Sequence, residues 1–280
     1  MTAIAQTTIL AAPRSRRPTY AQSLRTLAAR RFALTARTPR ELVVPLLTPV
    51  LFALVVAPAL KSALHTSASY ESYVAIGTVG LLVPLNSFFL GLGVIVDREM
   101  GAQRELLAAP VPRALLVLGN LVVALAITGL QIGTLIGFAV ARQIHFSPHG
   151  AGVLWFLAAV VFLTVAMYGA AETLASRIPR QEEYIARIPA IAIAPWFLAG
   201  SLFPITAMPI GLTWVARFLP LTHALALMRY GLLGDSTGLH AIWRMHDTTD
   251  SAVLSLVVVA LFALLLTRVA IRVFTRAATR

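Results

Sequence analysis

The sequence contains no cysteine, and of its 23 basic residues only Lys61 is a lysine. The missing thiols exclude disulfides, thiol nucleophiles and cysteine-held metals. Lys61 stands in "ALKSAL", with no glycine near it. A phosphate-cradling P-loop needs both glycines and a lysine beside Ser or Thr, so no Walker A site is expected in this chain. The patterns H-E-x-x-H and G-x-S-x-G and an acidic metal cluster are missing as well, so no catalytic residue and no metal ligand is assigned. Charge itself is scarce. Asp, Glu, Lys and Arg make up 12% of the 280 residues against 58% hydrophobic, where soluble domains carry roughly 25% charged residues. Mean hydropathy is +0.82. So few charges cannot cover a water-facing surface, and the chain reads as an all-α, polytopic integral membrane protein.

Six apolar stretches of span length are present: Leu42–Leu60, Tyr73–Val96, Ala114–Val140, Ala151–Ala171, Tyr184–Phe203 and Ser251–Ile271. Each is close to the ~20 residues needed to cross a ~30 Å hydrocarbon layer. They define three regions: a basic arm over 1–41, a six-span domain over 42–271 and a basic tail over 272–280. Pro45, Pro49, Pro84 and Pro195 lie inside spans, where neighbouring helices can re-satisfy the freed carbonyls. Arg187 and Arg268 sit near span ends and can snorkel. The first apolar run starts at residue 42, behind an arginine-rich arm. That is unlike a cleaved leader, and the first span is expected to be retained.

Net charge is +12. In a soluble protein that would suggest nucleic acid; here topology explains it, and no nucleic-acid partner is expected. With the N-terminus in the cytoplasm, 18 basic residues fall inside and 5 outside. This asymmetry predicts both termini in the cytoplasm of a cell-membrane protein with an even number of spans. His65, His145, His149, His223, His240 and His246 then all fall outside. Either they form a proton- or metal-responsive group or they are scattered polar residues; no pair has zinc-site spacing.

Three segments are not plain spans. "TYAQSLRTLAARRFALTAR", Thr19 to Arg37, places Tyr20, Leu24, Leu27, Ala28, Phe32 and Leu34 on one face, interrupted by Arg31. Thr19 and Gln22 form a capping box. This is either an amphipathic helix on the inner headgroups or a disordered basic arm. Between the second and third spans, Asp97, Arg98, Glu99, Arg104, Glu105 and Arg113 crowd around a helix-permissive stretch, Glu99–Ala109, that Pro110 and Pro112 stop. It reads as a docking surface or as a solvated loop. "RIPRQEEYIAR", with Arg180, Glu182 and Glu183, is a second charged inner loop. After Phe203, a proline-broken apolar stretch with Pro204, Pro209, Pro220 and Arg229 fits short helices re-entering the outer leaflet, or an irregular extra span.

Polar groups within the spans are few. Glu172 is the single candidate for a proton-carrying carboxylate, and it also suits an interfacial or interhelical position. Asn86, Asn120 and Gln131 suit interhelical hydrogen bonding or a substrate path. Phe88, Phe89, Trp196 and Phe197 offer an aromatic wall to an amphipathic substrate, or ordinary packing.

The order "DREMGAQRELLAAPVPRALLVLGNLV", with Arg98, Glu99, Gly101, Pro110, Pro112 and Arg113, followed late by "LPLTHALALMRYGLLG", resembles the ABC-2 family of ABC-transporter permeases. The likeness is greatest to daunorubicin-resistance-type multidrug export permeases of actinobacteria, and it spans the whole layout. It implies six transmembrane helices, an amphipathic connecting helix and re-entrant helices before the sixth span. Arg98, Glu99, Gly101, Arg104, Glu105, Pro110, Arg113, Arg180, Glu182 and Glu183 would couple to a cytoplasmic ABC ATPase present in two copies, which would hold ATP and magnesium; this chain would hold no cofactor. A second permease copy or sister permease would complete a dimer in a bacterial cell membrane, among its lipids. Multidrug efflux and antibiotic resistance would follow. Other readings are a permease for a polysaccharide or lipid-linked glycan, an ATP-independent carrier, and a membrane enzyme using the outer histidine-bearing loops.

Overall fold

The computed structural model describes residues 19–37, 68–144 and 146–277, together with isolated positions 47, 51, 55 and 59. Apart from those four positions, the expected span Leu42–Leu60 lies outside the described residues, as do most of the basic arm and the last three residues of the tail. Every regular element among the described residues is helical.

Helix α1 is Tyr20–Arg37. Its capping box forms as the sequence predicts: the Thr19 amide donates to Gln22 Oε1 at 3.0 Å and the Gln22 amide to Thr19 Oγ1 at 3.3 Å. Helix α2, Ala68–Glu99, is followed by the short α3, Ala102–Ala108, and then α4, Arg113–Ala141. Helix α5 is Gly152–Ala175. Helices α2, α4, α5 and the last helix α11, Thr248–Ala277, are long and apolar enough to cross a membrane. They match four of the six expected spans and overrun each at one or both ends.

The expected fifth span, Tyr184–Phe203, is not one α-helix. Helix α6, Gln181–Ile188, runs into a π-helical turn, Pro189–Ile193, and then α7, Ala194–Leu198. Pro189 and Pro195 each lack an amide donor, so the regular ladder cannot run through them. The Ala194 amide instead reaches five residues back to the Pro189 carbonyl, the pattern of a π-bulge.

The following segment is made of short pieces: a 3-10 turn at Ile205–Ala207, α8 at Ile210–Phe218, α9 at Pro220–Leu233 and α10 at Thr237–Trp243. Proline sets these starts. Pro204 and Pro209 immediately precede helical turns, and Pro220 is the first residue of α9. Leu219, held extended ahead of Pro220, turns α8 and α9 through 83°. Taken together the two helices could make one bent span, so the described residues hold four or five crossings.

Helix α5 is the hub, with α2, α9 and α11 packed along it. Lipid chains are as apolar as leucine, so dispersion and close backbone approach hold such helices together, not release of water. Gly169 shows the requirement. A Cβ there would stand 2.8 Å from the Leu266 carbonyl carbon and the Thr267 amide nitrogen of α11. The opposite faces of α5 and α11 stay bare, exposing Leu154, Leu157 and Val161 and then Val257, Leu261 and Leu265. In water such a surface would drive aggregation; in lipid it is the solvent-matched face.

Two cores result. One, around Leu163, Trp196, Leu225 and Leu239, fills the end away from α3. The other, around Phe88, Ile95, Tyr184 and Phe274, fills the α3 end.

Candidate functional site: the charged surface at the α3 end

The charged segment between α2 and α4 does not form the continuous Glu99–Ala109 helix expected from the sequence. Helix α2 carries through to Glu99, and the chain then breaks at Gly101, whose φ of 78° is left-handed. That conformation costs glycine little, and it re-aims the chain by one sharp turn. Helix α3 follows with Arg104 and Glu105 exposed and Leu106 and Leu107 turned partly into the core at this end. Ala109 is extended, Val111 and Pro112 complete the break, and Arg113 opens α4. Pro110 and Pro112 are exposed, so they act on backbone geometry and not on packing.

Arg98 ties this segment to the second charged loop. Its guanidinium donates to the carbonyl of Ala175 at 3.2 Å, to that of Pro179 at 3.2 Å and to that of Ile178 between them. These carbonyls belong to the C-terminal turn of α5 and the loop beyond it, where helix ends leave acceptors unpaired. A cation there also meets the negative end of the α5 dipole. Beside it, Gln181 donates to Glu99 Oε2 at 3.1 Å. Arg113 donates to the Thr275 carbonyl at 3.0 Å, fastening the start of α4 to the end of α11. Arg98, Glu99 and Arg113 are therefore fasteners between helices, while Arg104 and Glu105 are exposed and face outward.

The second loop is more ordered than its sequence suggested. Helix α6 begins at Gln181, with Tyr184 and Ile188 buried and Glu182, Glu183 and Arg187 exposed. Tyr184 donates to the Phe88 carbonyl at 2.8 Å, locking α6 against α2. Arg180 and Arg187 lie 3.9 and 4.0 Å from Glu183. Exposed pairs of this kind contribute under about 1 kcal/mol each and leave the surface adaptable.

Helix α1 completes this end. Arg31, which interrupts the apolar face in the sequence, points into the protein. It pairs with Asp97 at 3.2 Å and donates to the carbonyls of Leu90 and Gly93, both at 3.3 Å. Arg30 lies 3.7 Å from the other Asp97 oxygen. Only a glycine at position 93 leaves space for the guanidinium. Asn120 lines a narrow cleft here with Leu27, Asp97, Gln103 and Leu106.

The residues expected on a substrate path stand in different surroundings. Asn86 donates to Thr128 Oγ1 at 2.7 Å, joining α2 to α4. Gln131 is buried with its Oε1 unpartnered. Phe88 is buried in the α3-end core and Trp196 in the other, where its indole donates to the Gly77 carbonyl at 2.7 Å. Phe89 and Phe197 are about half exposed on the outside of the bundle. Phe197 meets Trp196 edge-on at 4.8 Å. Glu172 is fully buried among the helices; Tyr168 donates to its Oε2 at 2.7 Å, and Oε1 has no partner.

The histidines divide among different jobs. His223, on α9, is buried between the Arg217 carbonyl at 2.9 Å and Ser255 at 3.3 Å. His240 contacts the Met245 carbonyl at 2.7 Å. Among the described residues no group of three or more His, Cys, Asp or Glu is placed to share a metal ion. His65 and His145 lie outside the described residues.

A helical bundle with several lipid-length apolar helices and one charged, interlocked end defines a multi-pass membrane protein. The chain belongs to the ABC-2 type transporter family, whose model matches residues 22–233. It is thus a transmembrane permease of an ABC-type transporter, from a family whose members are typically non-catalytic membrane components and which implies an ATP-binding partner. No curated protein matches the chain.

Proposed function

We propose that the chain is the permease subunit of an exporter for a lipophilic drug or lipid-like substrate, driven by a separate cytoplasmic ATPase that docks on α3 and on the 174–187 loop. The observation that carries the reading is the fastening of α3. Its two flanks are held by Arg98 to the end of α5 and by Arg113 to the end of α11. A push on the exposed Arg104–Glu105 face would therefore move four long helices, α2, α4, α5 and α11, together instead of bending a loop.

In this reading α3 is the first coupling helix, and Arg180, Glu182 and Glu183 form the second contact. Two permease chains and two ATPase copies assemble; ATP and magnesium belong to the ATPase. Both termini and the charged end face the cytoplasm of a bacterial cell. Helix α1 lies on the inner headgroups, and α8 and α9 dip back into the outer leaflet ahead of the last span. The apolar outer faces of α5 and α11 suit lipid contact, and the few buried carboxylates suit an external energy source.

The test is transport in cells expressing the chain with its ATPase. Replacing Arg104 and Glu105 together by alanine lowers transport while membrane insertion and thermal stability stay at wild-type level. Normal transport by that stable variant would refute the docking assignment.

A further inference from the structure

Helix α11 changes character along one exposed face. At 3.6 residues per turn, Val257, Leu261 and Leu265 share that face with Arg268, Arg272 and Arg276, and all six are exposed. No Asp or Glu follows Asp250 in the sequence. Among the described residues, neither Arg268 nor Arg272 has an ion-pair or hydrogen-bond partner.

The change falls at a defined depth. Asp250 stands in the first turn of α11, and Arg268 follows about 27 Å further along the axis, close to the ~30 Å of a hydrocarbon layer. Arg268 is therefore at the edge of the hydrocarbon, where its stem can lie along acyl chains. Arg272 stands about 6 Å beyond it, within the headgroup layer. Arg113 donates to the Thr275 carbonyl at 3.0 Å, so another guanidinium sits within one turn of Arg272 and Arg276.

The helix alone does not account for the stripe. A C-terminal dipole favours cations in the last turn, which covers Arg276 and not Arg268 or Arg272. Like charges four residues apart repel one another. A soluble partner cannot reach Arg268, which lies three residues beyond the exposed, apolar Leu265. A second copy packed face to face about an axis along the membrane normal would set each arginine against its own counterpart at the same depth.

We propose that this face of α11 binds an anionic phospholipid. The acyl chains lie along Val257, Leu261 and Leu265, and the phosphodiester oxygens accept from Arg268 and Arg272, whose paired N–H donors match phosphate. A headgroup carrying its own amine is disfavoured, because the amine would meet the cations of Arg276 and Arg113. The proposal needs only the membrane setting, neither the ATPase nor the direction of transport, so its failure would leave the docking assignment intact.

The experiment is titration of the purified full chain, in neutral detergent, with short-chain phosphatidylglycerol, phosphatidylcholine or inorganic phosphate, with bound lipid counted by native mass spectrometry. The variants are Arg268→Gln with Arg272→Gln, the lysine pair R268K/R272K, and R180Q/R187Q on the second charged loop, each checked by thermal melting. Expected are saturable binding of phosphatidylglycerol over phosphatidylcholine, a loss of about tenfold or more in the glutamine pair, and retention of most of the preference in the lysine pair and in R180Q/R187Q. Equal binding of phosphatidylcholine, equal binding of phosphate alone, wild-type binding by the folded glutamine pair, or the same loss in R180Q/R187Q would overturn the proposal.

Discussion

Arg31 pairs with Asp97 at 3.2 Å, across the helix that precedes the first expected span and the end of the helix that leads to α3. With Arg31 also on the carbonyls of Leu90 and Gly93, the pair clamps α1 to α2 one turn from the charged surface. The side chains of Arg31 and Asp97 are only 11% and 15% exposed, so the pair is partly desolvated and worth more than a surface pair.

Asp97→Asn should weaken this clamp by about 1–3 kcal/mol, the scale of hydrogen bonds to charged groups. The variant inserts normally, but α1 releases more often. Limited trypsin digestion then cuts at Arg25 or Arg30 faster than in the wild type, and an unchanged digestion rate would argue against a clamped α1. Gly93→Ala reaches the same outcome by steric means, since its Cβ would occupy the space of the guanidinium.

Arg98→Ala removes three donors to the 175–179 carbonyls at once. Because those carbonyls gain water at this exposed end, the loss of global stability is modest. What changes is the link between α3 and the second loop. ATP hydrolysis by the partner continues and transport falls, so the ratio of substrate moved to ATP used is the measurement. A fall in both rates by the same factor would indicate lost docking instead of lost transmission.

Two glycines should answer oppositely to substitution. Gly169→Val drives a side chain into the α11 backbone and destabilises by at least about 1–3 kcal/mol, the cost of overpacking. Gly129, on the open face of α4, has nothing within 4 Å of a Cβ. Gly129→Ala is neutral or stabilising, since alanine is the better helix former by about 1 kcal/mol. Melting temperatures of the two purified variants decide this.

The Asn86–Thr128 bond gives a fourth check. A double-mutant cycle with Asn86→Leu and Thr128→Val should return a coupling of about 0.6 kcal/mol, and below about 2 kcal/mol, as interhelical bonds in membranes do. Zero coupling would free Asn86 for another role.

Local signals in the sequence carried far. Hydropathy marked α2, α4, α5 and α11, Thr19 with Gln22 marked the start of α1, and prolines marked the starts of α8 and α9. Gly101 was visible as well, but its left-handed turn, which separates Glu99 from α3, was read through as helix. The broken fifth span escaped because hydropathy does not sense a ladder that shifts to five-residue bonds at Pro189. The partners of Arg31, Arg98 and Arg229 escaped for a different reason. Arg98 and Arg229 are held on backbone carbonyls distant in the chain, about 80 residues away for Arg98, and Arg31 adds two such carbonyls to its Asp97 pair; a carbonyl acceptor has no residue-type signature.

The absence of native cysteine makes the central claim directly measurable. A Glu105→Cys variant carries a single thiol on the exposed face of α3, ready for a short thiol-reactive crosslinker in native membranes, with the captured chain identified by mass spectrometry. The account predicts one dominant adduct, a P-loop ATPase, whose yield changes when ATP is bound. A variant that still transports but yields no ATPase adduct, while a Glu183→Cys control also yields none, would contradict it.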